Sequence, residues 1–248
     1  MSGGKCGGAG PVSSNTGRND AEIAGTSRLF SGILPDYHSR LCGAGHVRHF
    51  SRGETLHFEG DAVRRVLLLT GGLVKITGRS QGGREVILRL SGVGDALGVV
   101  GLFSSGLHYT TAEAFQPGRA LIWEDRVFRS LAEQFPALRL NALATLGDDL
   151  RELEERFREV ATERVAARVA LQLLRLRQTI GRPVEAGAAS IEVSREELAQ
   201  MTGTTLFTVS RLLSAWEDRG IVKPLRGGVV ICDVQSLGTI SQEDPPER

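Results

Sequence analysis

From residue 46 to residue 127, apolar and polar positions alternate in short runs that glycine pairs interrupt. The segment "VLLLTGGLVKIT" holds two apolar runs around Gly71-Gly72, and "QGGREVILRL" places another glycine pair before a further run. "TTAEAF" and "ALIWED" close the series as two more runs. Short strands at near-regular spacing with glycine turns are typical of an antiparallel roll, barrel or sandwich.

After residue 131 the spacing becomes that of a helix. Pro136 stands near its start, where a helix tolerates proline. Apolar residues then recur at spacings of three and four, with charged residues between them, as in the seam of a two-stranded coiled coil. The alternative is a helix packed on its own domain, but so narrow a seam favours a homodimer. The predicted interface residues are Leu143, Leu146, Leu150, Leu153, Phe157 and Val160.

The last third of the chain predicts short helices and a hairpin. "ATERVAARVALQLLRLRQ" (161–178) is a second helix with a wider apolar stripe, followed by a loop over 181–190. Ser194 and Glu197 form the capping pattern S-x-x-E, so a helix begins at Arg195.

A glycine turn at 202–204 ends that helix, and another helix runs from near Thr205 to Gly220. "IVKPL" and "VVI" flank a glycine hairpin signal at 226–228. Helix, tight turn, helix and hairpin together predict a winged helix-turn-helix.

The second of these helices has two distinct faces at 100° per residue. Its inner sector holds Val209, Leu212, Leu213 and Trp216. Its outer sector is centred on Phe207, Arg211 and Ser214. Phe207 lies beside Arg211 near the helix N-terminus, which is the part of a recognition helix that meets base edges. The predicted base contacts are Phe207, Ser210 and Arg211.

Phosphate contacts are expected from side chains near the helix starts and in the wing. These are Ser194, Arg195, Thr204, Thr205, Thr208, Lys223 and Arg226. Simpler roles exist for some residues, because Arg211 would also suit a surface ion pair and one of the threonines must cap the helix.

Composition adds limits to this picture. The 248 residues carry a net charge of +1, and residues 162–236 hold 10 basic and 8 acidic groups. Charge alone therefore does not indicate nucleic acid.

No apolar run approaches the roughly 18 residues of a membrane span, so no membrane partner is expected. Three scattered cysteines fit a reducing cytoplasm, and Cys232 is expected to be a buried apolar residue.

No catalytic chemistry is predicted. The roll has no paired carboxylates, metal-ligand cluster or nucleophile constellation, and the sequence has no phosphate loop G-x-x-x-x-G-K-[ST]. We therefore expect no enzyme activity and no metal site.

The β-rich run, the seam and "VSREELAQMTGTTLFTVSRLL" together resemble the CRP/FNR superfamily of bacterial transcription regulators. The resemblance covers about 28–236 and implies an α+β fold. Its parts would be a disordered tail (1–26), a cupin-like, cyclic-nucleotide-binding-type antiparallel β-roll (27–130), a dimerisation helix (131–161), a winged helix-turn-helix (162–236) and a flexible tail (237–248). The implied partners are double-stranded DNA, a second copy, a small-molecule effector and, as an open candidate, RNA polymerase.

Two positions depart from relatives that bind cyclic AMP. In those relatives a glutamate holds the ribose hydroxyl and an arginine holds the cyclic phosphate. Here Val99 stands at the glutamate position and Tyr109 at the arginine position. Both losses disfavour cyclic nucleotide, although Arg84 or Arg89 could substitute. The candidate pocket residues are Gly98, Val99, Tyr109, Thr110, Arg84 and Arg89.

Other relatives in the family hold an iron–sulfur cluster or haem. An iron–sulfur cluster needs four cysteines, and only Cys6 and Cys42 precede the roll. Haem is an alternative, since His108 lies near the pocket edge. However, no histidine matches the ligand position that the resemblance implies. The effector is therefore unknown. The alternatives are a haem- or redox-responsive regulator, or a ligand-binding module whose winged helix contacts protein.

The resemblance also makes Phe207 unusual. Many relatives have a glutamate there, in E-T-[VI]-[SG]-R, which accepts a hydrogen bond from a cytosine amino group. A phenyl ring cannot accept that bond, but it can contact a thymine methyl group.

Overall fold

Two long antiparallel strands form the centre of the first sheet in the computed structural model, which describes residues 20–242. The strands are β1 (His46–Phe50), β2 (Thr55–His57), β3 (Arg65–Arg79), β4 (Glu85–Ser91), β5 (Ala96–Leu97) and β6 (Thr111–Glu124). Their order is β1-β6-β3-β4, with β2 on β6 and β5 on β3, and all pairs are antiparallel. The predicted antiparallel roll is confirmed.

Each long strand joins two of the predicted short runs. β3 continues through Gly71-Gly72, and β6 continues from "TTAEAF" into "ALIWED". The register between them shifts near these glycines. A Cβ on Gly72, whose φ is 82°, would lie 2.6 Å from Gly118 Cα. The glycines thus permit a close approach at an irregularity within one strand, and they do not mark a turn.

Helices α1 (Asp20–Gly25), α2 (Pro35–Gly43), α3 (Val99–Phe103) and α4 (Asp125–Gln134) surround the roll. The predicted disordered tail at 1–26 is wrong for its last residues, because Ile23 and Ala24 of α1 are buried and Asp20 pairs with Arg119 at 2.9 Å. Residues 1–19 of that predicted tail lie outside the described residues.

The long helix α5 (Ala137–Thr162) follows α4 after a break. Phe135 has φ −124° and ψ 82°, and Pro136 occupies the N-cap of α5. Proline disfavours a helical conformation in the residue before it, so the predicted helical segment 131–161 is divided here. Its first residues belong to α4.

The C-terminal region contains α6 (Val165–Ile180), α7 (Arg195–Thr202), α8 (Leu206–Asp218) and α9 (Val234–Ser241). Its sheet has the order β7-β8-β10-β9, from β7 (Arg182–Pro183), β8 (Ala189–Ile191), β9 (Val222–Leu225) and β10 (Gly228–Ile231). The predicted winged helix-turn-helix is confirmed, but the wing sheet has two more strands than expected. These strands lie in the segment predicted as a loop.

Helix α9 corrects the predicted flexible tail at 237–248. Asp233 caps this helix by accepting a hydrogen bond from the Ser236 backbone at 3.0 Å. Leu237 and Ile240, three residues apart, are buried in the C-terminal core. The helix therefore continues to Ser241, and residues 243–248 lie outside the described residues.

Polar contacts join the winged helix to the rest of the chain. Arg175 on α6 forms two hydrogen bonds with Glu159 on α5. Arg168 donates to the carbonyl oxygens of Thr202 and Glu163, at 3.1 and 2.9 Å. One apolar core runs across the junction, with Phe115 of the roll and Leu173 of α6 among its buried residues.

Candidate functional site

Helix α8 begins at a side-chain cap. Gly203 takes the left-handed conformation, with φ 62°, and ends α7. The Thr205 hydroxyl accepts a hydrogen bond from the Thr208 backbone at 3.1 Å. Thr205 is therefore the threonine that caps the helix, and Thr204 and Thr208 are partly exposed beside it.

The two faces of α8 are as the sequence predicts. Val209, Leu213 and Trp216 are buried against the neighbouring elements. Phe207 is 75% exposed on the opposite side. Arg211 is also exposed, and within residues 20–242 it has no ion pair that would explain it as a surface salt bridge. Ser210 is partly exposed between these faces.

Helix α7 has the complete capping box that the sequence predicts. The Glu197 backbone donates to the Ser194 hydroxyl at 3.1 Å, and the Ser194 backbone donates to the Glu197 carboxylate at 2.7 Å. Arg195 is exposed at the start of the helix. The Ser194 hydroxyl still has its proton to donate, so capping and a phosphate contact are compatible.

The wing exposes its basic residues. Lys223 lies on β9, and Arg226 lies in the turn before β10, where Gly227 has φ 81°. Both side chains are exposed. Cys232, just after β10, is also exposed, so its predicted burial is wrong. Cys232 lies between the end of β10 at Ile231 and Asp233, which caps α9.

Helix α5 has a continuous apolar stripe that the described chain leaves exposed in large part. Exposure of its members ranges from 42% to 75%: Leu143, Leu146, Leu150, Leu153, Phe157 and Val160. Leu140, three residues before Leu143, extends the stripe at 66% exposure. Leu140 is not among the predicted interface residues, and its spacing of three ahead of a second spacing of three departs from the alternating pattern.

A cavity of about 320 Å³ lies between the roll and α5. Four of the six predicted pocket residues line it: Arg89, Gly98, Tyr109 and Thr110. Val99 is outside this lining, because it is 3% exposed and packs into the roll core. Arg84 is also outside it, in the exposed turn before β4.

The one predicted arginine in the cavity wall already has a partner on α5. Arg89 donates to the Asp149 carboxylate at 3.0 Å and to the Ser91 hydroxyl at 2.5 Å. Burial raises the pKa of Asp149, although Arg89 opposes this shift. The pair therefore joins β4 of the roll to α5.

Two stacked histidines form part of the same wall. The rings of His57 and His108 lie 3.7 Å apart and are inclined by only 10°. Burial, assisted by His108, lowers the pKa of His57 to about 3. Burial also lowers the pKa of His108, against the opposing effect of Asp61. Both imidazoles are therefore neutral near pH 7. Sequence reasoning gave His57 no role, because only the fold brings the two rings together.

Residues 20–242 contain neither a metal-ligand cluster nor a helix that could span a membrane. No group of three or more histidine, cysteine, aspartate or glutamate side chains is placed there to hold a metal ion. None of the helices in this range is long and apolar enough to cross a bilayer.

Comparison with known proteins gives matches to both halves of the chain. Residues 47–135 match the cyclic nucleotide-binding domain family, and residues 167–240 match the Crp-like helix-turn-helix domain family. Together the two matches cover more than half of the chain.

Individual relatives span nearly the same length. A CRP-like cAMP-activated global transcriptional regulator of Mycobacterium tuberculosis is 29% identical, over 87% of this chain and 97% of the relative. The cyclic AMP receptor protein of Thermus thermophilus is 28% identical over the same shares. The crystal structure of a CRP-family transcriptional regulator from Thermus thermophilus matches with a TM-score of 0.70, at 25% identity, over 79% of this chain and 97% of that one.

Proposed function

The chain belongs to the CRP/FNR superfamily of bacterial transcription regulators, and we propose that it binds DNA as a homodimer and reads a roughly palindromic site. The observation that carries the proposal is the outer face of α8. An unpaired arginine and a largely exposed phenylalanine stand there, on a helix whose inner face is buried, in the part of the chain that the structure describes. Such a face is available for an external partner that offers both acceptors and an apolar spot.

The major groove of DNA offers both features. Arg211 can donate two hydrogen bonds to guanine O6 and N7, and Phe207 can contact a thymine methyl group. The capped start of α8 would direct backbone N–H groups at a phosphate. Around this face, Arg195, Lys223 and Arg226 supply exposed positive charge for the DNA backbone.

The exposed stripe on α5 supports the second copy. Apolar side chains over about five turns of one helix would lie in water in a single chain. Pairing with the same stripe of a second chain removes them from water by a coiled-coil seam. A twofold dimer would present two α8 helices to half-sites about one helical turn apart.

Cyclic AMP does not suit the roll of this chain, although relatives are named as cAMP-activated. The side chain at the glutamate position, Val99, is buried in the roll core and carries no acceptor. At the arginine position, Tyr109 is a phenol, and Arg89 is already paired with Asp149. In this function the chain catalyses no reaction and acts in the cytoplasm, where the DNA lies.

Selection of bound fragments from a random DNA library tests the proposal. We expect an enriched palindrome with a guanine in each half-site. Binding to that site should weaken steeply between two salt concentrations, because phosphate contacts release counterions. A library without enrichment, with binding that ignores salt, would instead favour a winged helix that contacts protein.

A further inference from the structure

The cavity between the roll and α5 has the size of a small-molecule site. Its volume of about 320 Å³ lies at the lower end of the range for ligand pockets, which is roughly 300–1,000 Å³. Both sides of its wall are largely aliphatic. Ile76, Leu88 and Leu97 come from the roll, and Leu146, Leu150 and Leu153 come from α5. A ligand that fills this space must therefore be mostly apolar.

The charged groups of the wall do not suit an anion. Among the described residues that line the cavity, Arg89 is the one cation, and the Asp149 carboxylate 3.0 Å away already neutralises it. Glu152 adds a second carboxylate, which pairs with Arg156 outside the lining. An anionic ligand would therefore meet no free cation among the described lining residues. It would have to displace Asp149 from Arg89 or remain unpaired.

The aromatic groups of the wall add no charge. His57 and His108 stack as two flat neutral rings, and burial keeps both from taking up a proton near pH 7. The phenol of Tyr109 stands beside them, with its hydroxyl 3.1 Å from Ser104 Oγ. Flat rings of this kind contact another aromatic ring favourably by stacking or by an edge.

We propose that this cavity binds an uncharged, mostly apolar aromatic compound and excludes anions, cyclic nucleotides among them. The inference rests on the proposed function only in treating the roll as the regulatory part of the chain. Leu146, Leu150 and Leu153 line the cavity and also belong to the exposed stripe of α5. A ligand here would therefore contact the residues that set the dimer seam.

A pair of dyes that differ by one charge tests the ligand class. N-phenyl-1-naphthylamine is uncharged, and 1-anilinonaphthalene-8-sulfonate carries the same rings with a sulfonate. Both gain fluorescence in apolar surroundings, so each can be titrated into the full-length protein without DNA. We expect saturable binding of the uncharged dye, at least about tenfold tighter than that of the sulfonate. Excess cyclic AMP should displace neither dye.

Substitutions in the wall locate the dye. Leu88→Trp places a large ring in the cavity and should weaken binding of the uncharged dye about tenfold. Val86→Trp adds the same ring on the same strand, at an exposed position outside the lining, and should have no effect. Val100→Trp fills the cavity from α3 and replaces the first variant if circular dichroism shows that Leu88→Trp does not fold. Glu152→Gln removes one carboxylate and should strengthen sulfonate binding.

Three results would overturn the proposal: equal affinity for both dyes, displacement by cyclic AMP, or equal dye binding by Leu88→Trp and Val86→Trp. The last result would place the dye elsewhere, for example on the α5 stripe. Sulfonate binding that ignores Glu152→Gln would contradict the charge argument. A mobility shift with the same preparation reports DNA binding separately, so the two proposals can fail independently.

Discussion

Helices α5 and α8 both expose apolar side chains, but in different surroundings. On α5 the exposed residues form one unbroken stripe at spacings of three and four. On α8 the exposed apolar residues are Phe207 and the adjacent Leu206, and the polar Arg211 and Ser210 stand beside Phe207. The first arrangement fits a partner that is itself an apolar stripe. The second fits a polar partner with a single apolar spot, as the edge of a base pair presents.

The arginines near the two helices show the same contrast. Arg89, under α5, is held by Asp149, whereas Arg211 on α8 has no ion pair within residues 20–242. An engaged cation holds two parts of the fold together. An unengaged one on an exposed helix face is free for an anionic or acceptor-rich partner. Each of these interpretations can be tested by substitution.

The largest expected effect is at the stripe. Leu150→Glu would place a carboxylate in the seam, where an unpaired charge is costly to bury. We expect a monomer by analytical ultracentrifugation. Affinity for the full palindrome should fall by roughly 10²–10⁴, because the two half-sites are no longer linked. Arg151→Glu introduces the same carboxylate next to the stripe, and it should leave the dimer intact. A dimer that survives Leu150→Glu would show that α5 is not its interface.

The next effect is at the recognition face. Arg211→Ala should cost about 1–3 kcal/mol on the selected site and relax the choice of one base pair. Mobility shifts on selected and random DNA measure both quantities. Arg219→Ala removes another exposed arginine, at the C-cap of α8 and far along the helix from Phe207. It should leave base choice unchanged. If Arg211→Ala weakens both DNAs equally, Arg211 contacts only the backbone.

Some structural features of these regions could be predicted from the sequence, and others could not. Helices α7 and α8, their caps and the phase of Phe207 follow from local rules, because capping and helical periodicity depend on residues within a few positions. The stripe of α5 follows in the same way. The register of β3 against β6 and the stacking of His57 on His108 do not. They bring together residues that are far apart in the sequence, so no local pattern announces them.

The differences at the pocket have the same origin. Motif matching places Val99 in the pocket and offers Arg84 as a substitute cation, but the direction of a side chain depends on the turn that carries it. Gly98 has φ 85° and starts a short helix, and Val99 then points into the roll core. Likewise, α1 and the end of α9 fall in predicted tails, because short helices give weak sequence patterns. Their burial comes from the domains against which they pack.

A third difference concerns what lies beneath each helix. The buried face of α8 is purely apolar, whereas α5 lines a cavity with neutral imidazoles. Between the pKa of about 3 for folded His57 and about 6.5 for an unfolded chain, only the unfolded chain binds the proton. The free energy of unfolding should therefore fall as the pH is lowered through this window. We expect a loss of about 1–2 kcal/mol from pH 7 to pH 5.

Urea denaturation of full-length protein at both pH values measures this loss. His57→Phe keeps a flat ring but has no proton to bind, and its stability should change less with pH. His49→Phe alters an exposed histidine on β1 and should behave like the unchanged protein. An acid-dependent loss of the same size in His57→Phe would assign the effect to other groups.

The smallest expected effect is at Phe207, and it tests what an isolated exposed ring does. Phe207→Ala removes the contact with a thymine methyl group and should cost about 1 kcal/mol at one base pair of each half-site. Phe207→Glu restores an acceptor and should move the preference at that position from thymine to cytosine. Selection of DNA by each variant measures the change. Leu206→Ala alters the neighbouring exposed apolar residue and should leave the selected bases unchanged. If all three variants select the same site, Phe207 reads no base, and the comparison with α5 would rest on Arg211 alone.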